Sequence, residues 1–248
     1  MSRYHLWSSW GGGIFVILFG IGWCLLAGLA PPPLSPALSA AEIASFYQTN
    51  TNMIRLGLSV VMLGCAALVP FYAALSIQMS RMEGRWPILS IAQVALGLSN
   101  VLFFVIPVVF WQAAAFRPDR DPEVIRTLND LGWLIIMWPF SLASMQNLVI
   151  AAAILSDRNS PPVFPRWMAF FNLWVALLLA AGVLIPFFKT GPFAWDGLFG
   201  FWLPASVYLL WIALSSFILA RAIIAHVTSS RFTDKPEVDD VQRFNLRR

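Results

Sequence analysis

The chain has 248 residues, of which 59% are hydrophobic and only 11% charged, and its formal net charge is +4. Soluble domains carry about 25% charged residues, so this composition excludes an ordinary soluble domain and favours a protein of the membrane. The few basic residues fall at the ends of apolar stretches, and they form no basic patch of the kind that binds nucleic acid.

Six long apolar runs follow one another along the chain. Each approaches the roughly 20 residues that a helix needs to cross a bilayer, and none shows the two-residue alternation of a barrel strand. Lipid offers no hydrogen-bond partners to the backbone, so such runs must be helical. We therefore predict an all-α, polytopic membrane helical bundle with six transmembrane helices, over residues 13–30, 56–77, 88–111, 131–155, 168–188 and 198–226.

The first run resembles a signal peptide at its start, because Arg3 precedes it. Its apolar core is longer than the usual 7–15 residues or so of such a peptide, which favours a retained first helix. The six runs are predicted to form one transmembrane domain over residues 1–228. The tail, 229–248, mixes both charge signs with few apolar residues, and it is predicted to be disordered and cytoplasmic.

Two of the connections between runs carry helix-start signals. Ser39 and Glu42 have the spacing of a capping box, which predicts a short interfacial helix over residues 40–50. In the second outer loop Asp121 can cap a helix whose first residue is Pro122. We therefore expect short interfacial helices in the first two outer loops.

A faint internal repeat accompanies the runs. Arg85-Trp86 is followed by Val-Ala-Leu at residues 94–96, and Arg166-Trp167 by the same tripeptide at the same spacing. This pattern is compatible with three two-helix hairpin repeats. The alternative is that arginine beside an aromatic residue simply marks the cytoplasmic start of a membrane helix.

The basic residues predict the orientation, because cytoplasmic loops of membrane proteins carry an excess of lysine and arginine. With both termini inside, the outer segments hold five of the sixteen basic residues, and the inner segments hold the other eleven. The inner residues are Arg3, Arg81, Arg85, Arg158, Arg166, Arg221, Arg231, Lys235, Arg243, Arg247 and Arg248. Four tryptophans fall at the predicted outer helix ends and are expected in the headgroup layer: Trp111, Trp133, Trp195 and Trp202.

Amide side chains inside the runs are the best candidates for a site, since polar groups within a membrane are costly and often functional. Gln93 and Asn100 share one face of the third helix. Asn147, with Gln146 beside it, lies in the fourth run and Asn172 in the fifth. We predict that Gln93, Asn100, Asn147 and Asn172 form one polar interior. Two interpretations stay open: the amides bind a ligand, or they only bridge neighbouring helices, at about 0.6–2 kcal/mol per contact.

Charged side chains cluster at the outer helix ends instead. Arg55 opens the second run, Asp130 the fourth, and Asp196 precedes the sixth. An unpaired charge near lipid is costly, so we predict an outer-face ion pair of Arg55 with Asp130 or Asp196. A substrate-binding rim is the alternative. No acid or base lies deep in a run, which argues against an ion-coupled pump.

The residues that usually carry chemistry are sparse. His5 and His226 sit at membrane edges, and Cys24 and Cys65 lie inside apolar runs. These positions predict no metal site, no disulfide and no haem. The chain has no phosphate-binding loop, no metalloprotease motif and no nucleophile elbow. We therefore expect no cofactor, and a protein that is more readily explained as non-enzymatic.

Four segments resemble a family of uncharacterised bacterial six-span membrane proteins: MSRMEG at residues 79–84, NDLGW at 129–133, FPRW at 164–167 and FKTGPFAWDG at 188–197. The resemblance extends over most of the chain. It implies a multi-pass protein of the bacterial plasma (inner) membrane, with both termini cytoplasmic on the count above. It implies no activity.

Three functions fit these observations. The first is a non-enzymatic integral membrane protein that binds or transports an apolar or weakly polar small molecule or lipid, because the predicted interior is aromatic and nearly uncharged. The second is an accessory or structural subunit of a larger membrane complex. The third is a membrane enzyme acting on a lipid. The expected partners are membrane lipids, a hydrophobic small molecule, and further copies or a membrane complex, but not nucleic acid.

Overall fold

A computed structural model describes residues 3–233 of the chain, and this part contains helices and no strand. Six of its seven helices are long and apolar enough to cross a membrane, which confirms the predicted six-span, all-α bundle. The seven are α1 Tyr4–Leu26, α2 Ala40–Thr49, α3 Thr51–Met79, α4 Ile88–Phe116, α5 Pro122–Ser156, α6 Trp167–Phe187 and α7 Leu198–Thr228. The backbone of α7 stays helical to Thr233, and the rest of the predicted tail, 234–248, lies outside the described residues.

The six spanning helices form a ring. Each packs against the next spanning helix in chain order, and α7 closes the ring on α1. Because the spans alternate in direction, the first and the last ends of the described chain lie on one side, here named the terminal face, with loops 80–87 and 157–166. The opposite face carries α2 and loops 117–121 and 188–197. The three-hairpin repeat stays a prediction.

The helix starts follow the sequence signals on the opposite face. Ser39 and Glu42 form the predicted capping box in front of α2: the Ser39 backbone N–H donates to the Glu42 carboxylate at 2.8 Å. These bonds lower the pKa of Glu42. Asp121 caps α5 by accepting from the Glu123 N–H, with Pro122 in the first turn. The second helix start does not give a separate interfacial helix, because α5 runs on from it into the membrane span.

Side chains also fix the loops of the terminal face. Glu83 accepts hydrogen bonds at 2.8 Å from the free N–H groups of Leu89 and Ser90 at the start of α4. At the end of α5 the Arg166 guanidinium donates to the carbonyls of Leu155 at 2.9 Å and Asp157 at 2.7 Å. The backbone groups left free at these helix ends are therefore paired by side chains.

Four spanning helices depart from regular α geometry, and they do so in the middle or towards the opposite face. Residues Gly20–Leu26 of α1 and Leu198–Trp202 of α7 are π-helical, and Ala180–Phe187 of α6 is a 3₁₀ helix. The α-helical ladder of α5 is interrupted at Trp138–Pro139, because proline has no N–H to continue it. The changes in α1, α6 and α7 lie at the helix ends nearest the opposite face, and only the break in α5 lies mid-helix, where such changes often mark functional positions.

Towards the terminal face the helices approach closely through glycine. A Cβ on Gly11 of α1 would collide with the Ala67 carbonyl of α3, and one on Gly12 would lie 2.9 Å from Ile212 of α7. Small residues at such contacts let membrane helices pack backbone to backbone. An equally close contact lies towards the opposite face, where a Cβ on Gly22 of α1 would be 2.4 Å from the Gly57 carbonyl oxygen of α3.

Candidate functional site

A cleft of about 730 Å³, its open mouth included, lies among α1, α4, α5, α6 and α7. Its walls include two positions where helices leave regular α geometry, Pro139 in α5 and Gly182 in α6. Trp23, in the π-helical part of α1, lines it as well. The cleft therefore lies beside three of the four breaks.

Aromatic rings supply much of the lining. Phe19 and Trp23 come from α1, Phe103 and Phe104 from α4, and Phe140 from α5. The Phe19 and Phe104 rings meet edge to face at 5.6 Å, a preferred arrangement for aromatic pairs. All the other lining residues but two are aliphatic, glycine, proline or methionine. The cleft therefore offers an apolar surface to any molecule that enters it.

The two polar lining residues are Asn100 of α4 and Tyr208 of α7, and none of the described lining residues is charged. The Asn100 Nδ2 donates to Gln146 Oε1 at 2.8 Å. The Tyr208 hydroxyl lies 3.2 Å from the hydroxyl of Tyr72 on α3. These two pairs bring α3, α4, α5 and α7 together at the cleft, and each holds one polar group of the lining in a fixed position.

One side of the cleft merges into an aromatic cluster formed by Trp23, Trp111, Trp133, Trp195 and Phe201. Trp23 lies at its centre, with ring centroids 5.8 Å from Trp111 and 5.4 Å from Trp133. Trp133 stacks on Trp195, whose indole N–H donates to the Leu34 carbonyl at 2.9 Å. The cluster connects the cleft to the loops of the opposite face.

The aromatic cluster corrects the sequence interpretation of three tryptophans. Trp111 and Trp133 are fully buried and Trp195 is 6% exposed, whereas Trp202 is 41% exposed. Only Trp202 can lie in the headgroup layer as expected. Helix-end position alone does not tell an interface tryptophan from one that turns inward, and the nearby Gly132 is the missed signal: a Cβ there would collide with the Trp111 indole.

The four amides predicted to form a polar interior are all buried in the bundle, yet only Asn100 lines the cleft. Asn172 accepts from the Trp211 indole at 2.9 Å and donates to the Met168 carbonyl at 2.7 Å. Asn147 donates to its own helix, to the Ala143 carbonyl. Gln93 has no partner for either amide atom in the described part of the chain. The structure thus brings Asn100 to a cavity and uses Asn172 to join two helices.

The partner of Asn100 is a residue that the sequence named only as a neighbour. Gln146 is fully buried beside Asn147. A Cβ added to Gly97 would lie only 2.9 Å from the Gln146 amide nitrogen. Gly97 therefore makes room for the side chain that holds Asn100. No signal in one sequence separates residues 146 and 147, because both lie on the buried side of α5.

At the opposite face Arg55 forms no ion pair with Asp130 or Asp196 within the described residues. Its guanidinium stands 5.6 Å from the centre of the Phe116 ring. The one salt bridge in this part of the chain joins Arg126 and Glu123 at 2.6 Å. Asp130 is half-buried and accepts a hydrogen bond from the Asn129 amide at 3.4 Å, whereas Arg55 is exposed. The predicted ion pair is therefore not formed in the described part of the chain.

The comparisons with known proteins add no assignment. No family model, no curated protein and no solved structure matches the chain. What the cleft can do chemically is therefore inferred from its own geometry. It is an apolar, aromatic-walled space inside the helical bundle, with one amide and one phenol held in place and no charged residue among the described lining residues.

Proposed function

We propose that this integral membrane protein binds or carries an apolar or weakly polar small molecule or lipid, and that the cleft is its binding site. The observation that carries the proposal is the aromatic, uncharged lining with its single amide, Asn100, beside the breaks in α1, α5 and α6. Small-molecule sites are mostly apolar, with a few placed hydrogen-bonding groups.

The position of the breaks supports the same proposal. In membrane transporters, substrate sites lie near the bilayer midplane, where spanning helices are interrupted. Here Asn100 falls close to the middle of α4, and the interruption at Pro139 close to the middle of α5. A molecule that reaches this depth through the bilayer is itself apolar over most of its surface, as the lining is.

We also propose that the membrane is a bacterial plasma membrane and that the terminal face is cytoplasmic, on the excess of basic residues expected there. Cysteine labelling in intact cells tests the orientation, in a chain whose Cys24 and Cys65 are replaced by alanine. Ser39 and Thr190 are exposed on the opposite face, and Gly84 is exposed on the terminal face. An impermeant maleimide should label Ser39→Cys and Thr190→Cys but not Gly84→Cys; the reverse pattern would contradict the orientation.

Photolabelling tests the binding site. The protein is placed in phosphatidylcholine nanodiscs with a phosphatidylcholine that carries a diazirine in one acyl chain, and labelled peptides are mapped by mass spectrometry. The lipid-facing surface is labelled in any case and serves as the internal reference. We expect additional labelling at Phe103, Phe140 and the start of α7, which line the cleft.

A matched pair of variants on α7 separates the cleft from the surface. Ala205 lines the cleft, whereas Ala213, eight positions further along the same helix, is exposed on the outside of the bundle. Ala205→Phe should remove the cleft labelling and leave the surface labelling, and Ala213→Phe should leave both. Labelling confined to the lipid-facing surface in the unaltered protein would contradict the proposed function and would favour a subunit role in a larger complex.

A further inference from the structure

We propose that the ligand of the cleft is an uncharged amphiphile whose polar end is a hydroxyl group. Its hydroxyl bonds to Asn100 and the Tyr72–Tyr208 pair, and its apolar chain lies against the aromatic walls. This inference rests on the proposed function and names the chemical class of its ligand. Three features of the lining carry it: a free acceptor, a free donor and the absence of charge among the described lining residues.

The free acceptor is the Oδ1 atom of Asn100. The amide nitrogen of this residue is occupied by Gln146 at 2.8 Å. The oxygen accepts no hydrogen bond from the described residues. It is also not among the fully buried side-chain atoms that lack a partner, so part of it is accessible, and Asn100 lines the cleft. An amide oxygen left without a partner in an apolar space is costly. A ligand that donates one hydrogen bond removes that cost.

The free donor belongs to the tyrosine pair. Two hydroxyls that share one hydrogen bond use one of their two protons between them, whichever of Tyr72 and Tyr208 donates. With Tyr72 as the donor, the proton left without an acceptor in the described part of the chain is that of Tyr208, which lines the cleft together with Asn100, whereas Tyr72 does not line it. The site thus presents one acceptor and one donor. A hydroxyl group both donates and accepts, so it satisfies both at once.

The uncharged lining excludes ions as preferred ligands. A carboxylate or phosphate would enter an apolar space with no lysine, arginine or histidine beside it, and an ammonium would find no acid there. Removing such a charge from water without a partner is strongly unfavourable. The aromatic walls offer a cation only the weaker attraction of their faces. The geometry therefore points to a neutral polar end.

Three photoreactive probes with the same sixteen-carbon, diazirine-bearing chain test this choice: a primary alcohol, a carboxylic acid and a trimethylammonium salt. The experiment is run in nanodiscs at about pH 9, where the acid is ionised. Labelling of the cleft is divided by labelling of the lipid-facing surface, which corrects for the different amounts of each probe that enter the bilayer. We expect the alcohol to label the cleft about tenfold more than either ion, because the ions lack a charged partner.

Variants of the polar lining sharpen the result. Tyr208→Phe and Asn100→Leu each remove one bond to the hydroxyl and should lower the alcohol labelling of the cleft about fivefold. Tyr47→Phe is the matched control, because it removes a buried tyrosine hydroxyl that bonds to Asn129 away from the cleft; it should leave the labelling unchanged. Thermal unfolding of each variant verifies that it is folded. If Asn100→Leu does not fold, Tyr208→Phe still tests the proposal, because phenylalanine keeps the shape of the tyrosine ring.

The outcomes are distinct. Equal or stronger labelling by the acid or the ammonium, or alcohol labelling that Tyr208→Phe leaves unchanged, would overturn the assignment of a hydroxyl ligand while leaving the cleft as a binding site. Cleft labelling by none of the probes would overturn the proposed function itself. A selective alcohol signal that falls in Tyr208→Phe and not in Tyr47→Phe would support both.

Discussion

The half of the bundle next to the terminal face and the half next to the opposite face are built from the same kinds of residues but pack differently. Near the terminal face the helices touch through Gly11 and Gly12, and Asn172 bonds across to Trp211. Towards the opposite face four spans leave α geometry and enclose the cleft. Three of the four breaks lie beside the cleft, but they do not loosen every contact of that half, since Gly22 of α1 and Gly57 of α3 still meet backbone to backbone.

We call the half next to the terminal face the rigid half and the half that contains the cleft the open half. The difference between them indicates that the first mainly supports the fold and the second mainly binds a ligand. In the rigid half Asn172 bonds to Trp211 and Met168, whereas neither amide atom of Gln93 has a partner in the described residues. In the open half Asn100 keeps one atom free towards the cleft. Substitutions in the rigid half should therefore act mainly on stability, and substitutions around the cleft mainly on binding.

Gly11→Leu should destabilise the protein most. A side chain at this position collides with the Ala67 carbonyl and comes within 3.3 Å of the Phe71 Cβ, so α1 and α3 must separate. Overpacking of this kind costs about 1–3 kcal/mol or more. Gly13→Leu is the matched control, since only Trp10 comes near its Cβ, at 4.0 Å. Thermal unfolding in mild detergent should show a clear loss for Gly11→Leu alone; equal losses would contradict close packing at this contact.

Two amides of the rigid half should respond with opposite signs. Asn172→Leu leaves the buried Trp211 indole N–H without its acceptor, and the free energy of unfolding should fall by about 1–3 kcal/mol. Gln93→Leu removes two amide atoms that have no partner in the described residues, so the same measurement should show no loss or a gain. A loss at Gln93 equal to that at Asn172 would mean that Gln93 is hydrogen-bonded in the membrane.

Cleft substitutions should barely affect stability. Ala205→Phe adds a ring at a position that lines the cleft, and we expect its free energy of unfolding to stay within about 1 kcal/mol of the unaltered protein. Ala213→Phe, on the outside of the same helix, should behave alike. The two variants then differ only in ligand binding. A large loss for Ala205→Phe would contradict an open cleft and would place α7 in tight contact with its neighbours.

Much of the fold was predictable because it depends on local properties. The apolar runs predicted the six spans. The helix starts at Ser39 and Asp121 were also predictable, because a cap depends only on residues a few positions apart. The starts of the spans were less predictable. α1 begins at Tyr4, before the apolar run. Ser8 and Ser9 can be part of this helix because their hydroxyls donate hydrogen bonds to the backbone carbonyls of Tyr4 and Leu6.

The site was predictable only in part, because it depends on which way side chains turn in the bundle. Helical spacing placed Gln93 and Asn100 on one buried face of α4, but it gave no partner to either. The aromatic cluster was not predicted. A tryptophan at a helix end is expected at the membrane interface, and the sequence alone does not show which residues pack against it. The pairing of Arg55 failed for the same reason: helix ends close in depth need not face each other.

The most direct test of the cleft as a binding site is a crystal structure of the protein grown in a lipid mesophase with 11-bromoundecan-1-ol, read through the anomalous scattering of bromine. We expect a bromine peak among the aromatic walls of the cleft, near Trp23 or Phe104, with the alcohol oxygen within hydrogen-bond distance of Asn100 Oδ1. The peak should be absent in Ala205→Phe. Bromine found only on the lipid-facing surface, with the cleft closed by side chains, would show that the cleft is not a binding site.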